Sequence, residues 1–258
     1  MAKKHSSPPS SLAHYTSVDV LKIILEGALA SEKGEFTMHL SHLAMMNDAK
    51  EGAYTLDRYF KDSIKKDTLR RKWEDEYFPK HIPFILSTIR TTTETRDKGS
   101  LPMWKMYGDD FKGALIRFNF GKLKKYCEDN SLLLASCEYM TTKECSELIK
   151  QLNGVEPNFD ELLEKSSLIK NRCWEYENEW RIVAKRTIDD IKVKNTARGV
   201  VQYIELKFPI DLIEEICLGP MNNSVFTKPS LILVKDKLIN KFRNKVHFNI
   251  KSSNINIR

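Results

Sequence analysis

The stretch from residue 173 to residue 183 constrains the fold more than any other part of the sequence. It reads CWEYENEWRIV, with an acid at every second position of its centre and aromatic or apolar residues between. From Glu179 onward the side chains alternate with a period of two, which is typical of a half-buried strand. We therefore predict a strand over residues 179–185, with Glu177, Glu179 and Arg181 projecting from one side of it.

The rest of the chain mixes short strand-like and helical patterns without a regular βαβ repeat. Apolar, β-branched segments at 82–89 and 200–208 predict strands, whereas segments 141–152 and 159–172 have helical spacing. A further strand is expected at 132–139. Because helices interrupt the strands irregularly, the pattern predicts an α+β fold with a mixed, mostly antiparallel sheet.

The length of 258 residues fits one large domain or two small ones. We expect a disordered tail over 1–10 and a single α+β domain over 11–258. Within it, 49–81 has the charged, helical character of an insertion. The segment 228–258 is expected to form a basic helix and strand.

The basic charge is concentrated at the C-terminus. The segment 228–258 holds eight Lys or Arg residues and one acid. Its net charge therefore equals the formal net charge of +7 of the whole chain. Such a segment can bind nucleic acid or another polyanion, and the alternative is a solvated helix face. A non-catalytic binding module is therefore one functional hypothesis.

Composition and cysteine spacing limit the cellular context. No apolar run reaches the roughly 20 residues of a membrane span, and no apolar segment of a secretory signal follows the first lysines. The five cysteines include no Cys-x-x-Cys pair and no zinc spacing. These features predict a cytoplasmic protein with reduced thiols and no membrane partner.

The two acids of the central stretch are candidates for catalysis. Glu177 and Glu179 can orient a sugar hydroxyl and stabilise the positive charge that develops at an anomeric carbon. The alternative is a structural row of acids that pairs with Arg181, Lys185 and Arg186. The sequence leaves both possibilities open.

Three further side chains could contact a ligand. His14 could donate a hydrogen bond to a ribose hydroxyl, and its alternative role is structural. Trp104 and Tyr107 stand three residues apart, so they are neighbours on one face of a short helix that ends at Gly108. They could stack on a flat ring, and the alternative is core packing.

Two short patterns resemble parts of metal sites. His39 and His42 have the spacing of a ligand pair, but no third ligand stands nearby. Asp109 and Asp110 could belong to a metal-dependent nuclease, although the acid-x-Lys strand expected beside them is missing. We predict no metal site.

Five motifs occur in a fixed order along about residues 12 to 220. Together the set resembles a widespread bacterial family known only as a domain of unknown function. That family is in turn remotely similar to the ADP-ribosyltransferase superfamily. The motifs are Leu12-Ala13-His14-Tyr15-Thr16-Ser17, Met46-Asn47-Asp48, Trp104-x-x-Tyr107-Gly108, Trp174-x-Tyr176-Glu177-x-Glu179-Trp180-Arg181 and Leu218-Gly219-Pro220.

The resemblance implies a split β-sheet and NAD as the substrate. By position, His14 would hold the NAD ribose and Tyr107 would stack against nicotinamide. Glu179 would bind the ribose 2′-hydroxyl and stabilise the oxocarbenium ion, and Glu177 would orient the acceptor. The sequence departs from the superfamily at His14, where Glu-x-Glu enzymes carry an arginine. The predicted NAD contacts are His14, Tyr15, Thr16, Trp104, Tyr107 and Arg181.

The resemblance therefore implies an enzyme that cleaves NAD without a metal. It would transfer ADP-ribose to a macromolecule, either protein or nucleic acid, or to water. By analogy with the superfamily, its biological role would be that of a toxin or an antiphage effector.

Overall fold

The computed structural model describes residues 8–43, 66–152, 158–196 and 199–257. Contacts between backbone atoms divide the chain into two compact units. Unit 1 comprises residues 1–38, 88–126 and 207–258, and unit 2 comprises residues 39–87 and 127–206. The predicted turn at 46–48 lies outside the described residues, as do residues 49–65 of the predicted insertion.

Strands and helices alternate irregularly along the described chain. The strands are β1 (Ser11–Thr16), β2 (Glu35–His42), β3 (Ile82–Arg90), β4 (Ala114–Asn119), β5 (Leu133–Ser136), β6 (Glu138–Met140), β7 (Ile169–Asn171), β8 (Glu179–Arg186), β9 (Lys192–Thr196), β10 (Gly199–Pro209), β11 (Ile213–Leu218) and β12 (Asn249–Ser252). The α-helices are α1 (Val18–Ala30), α2 (Lys66–Arg71), α3 (Leu101–Tyr107), α4 (Phe120–Asp129), α5 (Thr142–Leu152), α6 (Phe159–Leu168) and α7 (Ser224–Phe242).

Unit 1 is built on a sheet in the order β12–β11–β4–β1. The pairs β11–β4 and β4–β1 are antiparallel, and β12 runs parallel to β11. The last residues of β3 pair antiparallel with β1, at Ile89 and Arg90. Helix α3 contacts β1, and helices α1 and α7 contact each other.

Unit 2 contains several short pairings. Strand β5 pairs antiparallel with β8, and β9 pairs antiparallel with β10. Ser41 and His42 of β2 pair with the first half of β3. Strands β6 and β7 form a separate parallel pair. A buried cluster of Leu43, Ile85 and Val183 packs between these strands.

The predicted α+β class with a mostly antiparallel sheet is confirmed. The strands expected at 82–89, 179–185 and 200–208 are present as β3, β8 and β10. The helix predicted over 159–172 ends early, at Leu168, because the next three residues pair as β7 with β6. The strand expected at 132–139 is likewise interrupted, since β5 ends at Ser136 and β6 begins two residues later.

No helix among the described residues combines the length and the apolar character that crossing a membrane requires.

Candidate functional site

The candidate site of unit 2 begins at the turn that precedes β8. Residues Arg172–Glu177 form a 3-10 helix, which Asn171 caps by accepting a backbone hydrogen bond at 3.0 Å. Asn178 then adopts a left-handed conformation, with φ 48° and ψ 46°, which asparagine tolerates better than most residues. The prediction that Glu177 shares a strand face with Glu179 is therefore wrong. Glu177 ends the 3-10 helix, and Glu179 begins the strand.

Four charged side chains meet beside this turn, and we call them the buried charge cluster: Lys170, Glu177, Glu179 and Arg181. Lys170 Nζ donates to Glu177 Oε2 at 2.6 Å and to Glu179 Oε2 at 2.9 Å. Arg181 donates from Nε to Glu179 Oε1 at 3.0 Å and from Nη2 to Glu179 Oε2 at 3.1 Å. The exposed fraction is 7% for Lys170, 2% for each acid and 0% for Arg181. The predicted acids and arginine are thus brought together, in contact with a lysine that the sequence did not point to.

The cluster fixes the ionisation state of Glu179. Burial alone would raise the pKa of this carboxyl, because desolvation disfavours the charged form. The attraction of Arg181 and Lys170 and the hydrogen bonds that they donate outweigh burial, and they lower the pKa to about 2. Two acids and two cations balance in formal charge, so Glu179 is a carboxylate at every physiological pH.

The backbone and aromatic side chains complete the surroundings of the cluster. The Glu179 N–H donates to Tyr139 Oη at 2.7 Å, and Arg181 Nη1 donates to the Ser167 carbonyl at 2.7 Å. Lys170 Nζ lies 5.4 Å from the centroid of the Trp174 ring, within the range of a cation–π contact. The cluster is therefore held from the strand, from helix α6 and from the 3-10 helix.

A cavity of about 380 Å³ lies in the same unit. Its volume falls within the roughly 300–1,000 Å³ of small-molecule pockets. The carbonyl of Ser167, which accepts from Arg181, belongs to one of its lining residues. No sequence pattern indicates this cavity, because its walls come from β5, α6 and β8. The other lining residues include Leu132, Leu133, Leu163, Val183, Glu164 and Lys185.

In unit 1, Tyr15 and Trp104 are core residues. Their rings meet edge to face at 4.9 Å between centroids, and Trp104 is 0% exposed. The Tyr15 hydroxyl accepts from the Ser100 N–H at 2.8 Å, and Trp104 Nε1 donates to the Lys98 carbonyl at 2.8 Å. Burial raises the pKa of Tyr15 to about 12. Both polar atoms have protein partners, so the core-packing role describes this pair, and their contact with NAD stays a prediction.

The remaining predicted residues of unit 1 lie around the same core. His14 is half-buried in β1, where it alternates with Ala13 and Tyr15 and so points to the opposite face. Tyr107 ends α3 and packs, half-buried, against the cluster that contains Trp104. The meeting of His14 and Tyr107 with Glu179 around one NAD molecule stays a prediction.

A tight turn in unit 1 brings three of the five motifs together. Residues 109–111 all have positive φ, at 50°, 49° and 70°. The Gly113 N–H donates to the Gly108 carbonyl, and the Gly219 N–H donates to the Gly113 carbonyl, each at 2.8 Å. A Cβ atom on Gly113 would stand 2.2 Å from the Thr16 carbonyl oxygen. The backbones approach too closely for any side chain, which gives these glycines a structural role.

The residues of the two short patterns that resemble metal sites contact other protein groups. His42 is buried against Phe84, with ring centroids 5.5 Å apart, whereas His39 is exposed. Their odd spacing in β2 directs them to opposite faces. Asp110 accepts from Lys105 Nζ at 2.5 Å, and this hydrogen bond lowers its pKa. No group of three or more His, Cys, Asp or Glu side chains in the described ranges is arranged to hold a metal ion.

The comparison with known proteins finds a family match in the central part of the chain, which holds two of the five motifs. No curated protein matches the sequence. The stretch that does match a known family begins just before Trp104 and ends within β8, so it includes the turn at 109–111 and the motif of Glu177, Glu179 and Arg181. Residues 103–182 match the family described as "Protein of unknown function (DUF2971)", which confirms the expected resemblance to a domain of unknown function.

Proposed function

We propose that this protein cleaves the nicotinamide–ribose bond of NAD and transfers the ADP-ribose to a macromolecule or to water, as an ADP-ribosyltransferase-like enzyme. The observation that carries the proposal is the buried carboxylate of Glu179, which accepts hydrogen bonds from Arg181 and Lys170. The order of the sequence motifs supports the resemblance to ADP-ribosyltransferases. The buried charge cluster supports Glu179 as the acid that stabilises positive charge on the ribose.

The chemistry needs a fixed negative charge. As the bond from the ribose anomeric carbon to nicotinamide breaks, its electron pair leaves with nicotinamide and positive charge develops on the ribose. A carboxylate placed beside the ribose lowers the energy of that state through electrostatic attraction. Glu179 would supply this charge. Glu177 would orient the acceptor hydroxyl, amine or water that then attacks the same carbon.

The burial of Glu179 sets a condition on this mechanism. At 2% exposure the carboxylate reaches a ribose only if the groups packed around it move aside. Breaking a buried ion pair costs about 3–5 kcal/mol unless a new partner replaces the old one. The NAD pyrophosphate is such a partner, since it would take over the hydrogen bonds of Lys170 and Arg181 as Glu179 turns to the ribose.

The decisive experiment measures nicotinamide release from NAD by chromatography. We expect Glu179→Gln to lower the rate by at least about 100-fold, as removal of a charge-stabilising group does in other enzymes. Glu175→Gln is the matched control, because Glu175 lies in the same turn but is exposed. Circular dichroism of each variant verifies folding. A folded Glu179→Gln protein with the wild-type rate would contradict the proposal, as would a wild-type protein that releases no nicotinamide.

A second candidate function is the binding of nucleic acid through residues 228–258. The observation that favours it is the exposure of Lys237 and Arg243 at the C-terminal end of α7. Three other basic residues of the segment already have protein partners. Lys241 Nζ donates to the Ser31 carbonyl at 3.0 Å, Lys245 Nζ donates to the Lys33 carbonyl at 3.1 Å, and Lys251 pairs with Glu215 at 3.0 Å. Lys237 and Arg243 are therefore the side chains through which we expect phosphate binding.

This candidate is tested with single-stranded RNA at several salt concentrations. We expect Lys237→Glu with Arg243→Glu to weaken binding and to reduce the salt slope by about 0.7 for each phosphate that the variant no longer binds. Glu179→Gln is the control, because it leaves the basic segment intact. Equal binding by the charge-reversed and wild-type proteins would exclude this surface.

A further inference from the structure

Two lysines of β9 lie on the same side of the strand but have different surroundings. Lys192 Nζ donates to Glu205 Oε2 at 2.6 Å and is otherwise exposed. Lys194 Nζ lies 3.1 Å from His39 Nδ1 and 4.9 Å from the centroid of the Tyr203 ring. His39 comes from β2, whereas Tyr203 and Glu205 come from β10, which lies between β2 and β9 in the sheet. All five residues belong to unit 2.

The contact between His39 and Lys194 can be a hydrogen bond in which the lysine is the donor. When Lys194 donates as an ammonium group, His39 Nδ1 accepts and the imidazole proton lies on Nε2. His39 Nε2 faces Glu205 Oε1 at 3.7 Å. Burial, followed by the nearby Lys194, lowers the pKa of His39, and Glu205 acts in the opposite direction. The lowered pKa favours the neutral imidazole, which presents Nδ1 to Lys194 Nζ and lies close to the negative charge of Glu205.

The same surroundings shift the pKa values of the two lysines in opposite directions. Burial lowers the pKa of Lys194, whereas the hydrogen bond to Glu205 raises the pKa of Lys192. Among the residues that the structure describes, the charged and titratable groups near Lys194 are Lys192 on its own strand, Tyr203 and Glu205 on β10, and His39 on β2. The Tyr203 ring attracts a cation and so favours the charged form of Lys194. Burial and the adjacent lysine favour the neutral amine.

We propose that Lys194 is a nucleophilic amine, with His39 as its base and the Glu205 carboxylate stabilising the imidazolium by its charge, and that it forms imines with aldehydes that carry an anionic group. The arrangement has the logic of other activated nucleophiles, in which a base lies within hydrogen-bond reach of the nucleophile. Lys192 supplies the positive charge that selects an anionic aldehyde, and the Tyr203 ring offers a flat face to it. This site is independent of the buried charge cluster and of NAD.

The reaction balances without an added oxidant or reductant. His39 Nδ1 accepts a proton from the Lys194 ammonium group, and the nitrogen lone pair attacks the aldehyde carbon. The carbonyl π electrons move to oxygen, which takes a proton from the attacking nitrogen to give a carbinolamine. As the C–O bond breaks, the imidazolium returns its proton and the oxygen leaves as water. A protonated C=N bond remains on Lys194, so one amine and one aldehyde give one imine and one water.

The test uses pyridoxal 5′-phosphate, an aldehyde with a flat ring and an anionic group, followed by reduction with borohydride. Peptide mass spectrometry then gives the modification rate of each lysine. We expect Lys194 to react about tenfold faster than Lys192, a modest share of what a positioned base contributes in enzymes. Lys192 is the internal control, because it stands on the same strand face of the same molecule.

A variant distinguishes the effect of the His39 base on the rate at Lys194 from the effect of solvent exposure. His39→Asn keeps a hydrogen-bond acceptor near Lys194 but cannot take a proton, so we expect it to slow Lys194 about tenfold and to leave Lys192 unchanged. The rate at Lys194 should also rise at a lower pH than the rate at Lys192. Pyridoxal, which lacks the phosphate, should react more slowly at Lys194. The proposal is overturned if Lys194 reacts no faster than Lys192 in the wild-type protein, or if His39→Asn leaves its rate unchanged.

Discussion

At the scale of single residues, burial decides how much a charged pair contributes. Lys170 and Lys105 each donate to a carboxylate at close range, 2.6 Å to Glu177 and 2.5 Å to Asp110. Lys170 is buried, whereas the side chain of Lys105 is 62% exposed. Water screens the exposed pair, and removal of one partner from the buried pair strands an uncompensated charge. The two pairs therefore differ in how much stability is lost when one partner is removed.

We predict that Lys170→Met lowers the free energy of unfolding by about 3–5 kcal/mol, the usual cost of breaking a buried pair. Lys105→Met, the exposed counterpart, should cost less than about 1 kcal/mol. Urea denaturation of both variants measures the difference. Adding Glu177→Gln to Lys170→Met should recover part of the stability, since it removes the acid left without its cation. Equal stabilities for the two single variants would show that the cluster does not behave as a buried ion network.

Alternation predicted that Glu179 and Arg181 share one side of a strand, but it placed Glu177 on that strand wrongly and gave no sign of the lysine. Lys170 joins them only because the chain folds back through the 3-10 helix and the left-handed Asn178. No local pattern encodes that reversal, because a non-glycine residue in the left-handed region depends on its surroundings.

At the scale of elements, strands whose side chains alternate clearly with a period of two were predictable from the sequence. Strands that form only because a neighbouring strand pairs with them were not. Alternation located β8 and β10 to within a residue or two. Strand β7 follows α6 without a break and is a strand because β6 lies beside it. Cys137 interrupts the expected strand at 132–139, where its N–H donates to the Glu179 carbonyl at 2.9 Å. Both outcomes depend on residues about 30 to 40 positions away, which tertiary contacts supply and local propensity cannot.

The motifs of unit 1 show a related limit. Aromatic residues in them suggest ligand contacts, yet Trp104 is closed in the core, and Gly108 and Gly219 lie where no side chain fits. A sequence motif marks a constraint without saying whether the constraint is packing or chemistry. Here the geometry assigns packing to the glycines and to the indole.

At the scale of the whole molecule, the predicted NAD residues are divided between the two units. His14 and Tyr107 belong to unit 1, and Glu179 belongs to unit 2. The fold class followed from patterning because it depends on how each segment buries its own apolar face. A three-residue site depends instead on how distant segments meet, and periodicity carries no information about that. The nicotinamide-release experiment therefore tests a property that patterning could not supply.

The location of the cluster also predicts how the molecule responds to acid. The ordinary pKa of a glutamate is 4.5, and that of Glu179 is lowered to about 2 in the folded protein. A lowered folded pKa contributes stability that is present above the ordinary value and is lost as the pH falls from 4.5 toward 2. The shift corresponds to a contribution on the order of 3 kcal/mol at neutral pH.

Because the cluster lies in unit 2, we expect acid to loosen that unit first. Hydrogen exchange followed by mass spectrometry, at pH 5 and again near pH 3, should show a larger loss of protection in β8 than in β4 of unit 1. Intrinsic exchange rates are corrected for pH before the comparison. Glu179→Gln cannot titrate, so its β8 should lose much less of its remaining protection between the two conditions. Parallel loss in both strands, unchanged by that substitution, would mean that acid stability has its origin outside the cluster.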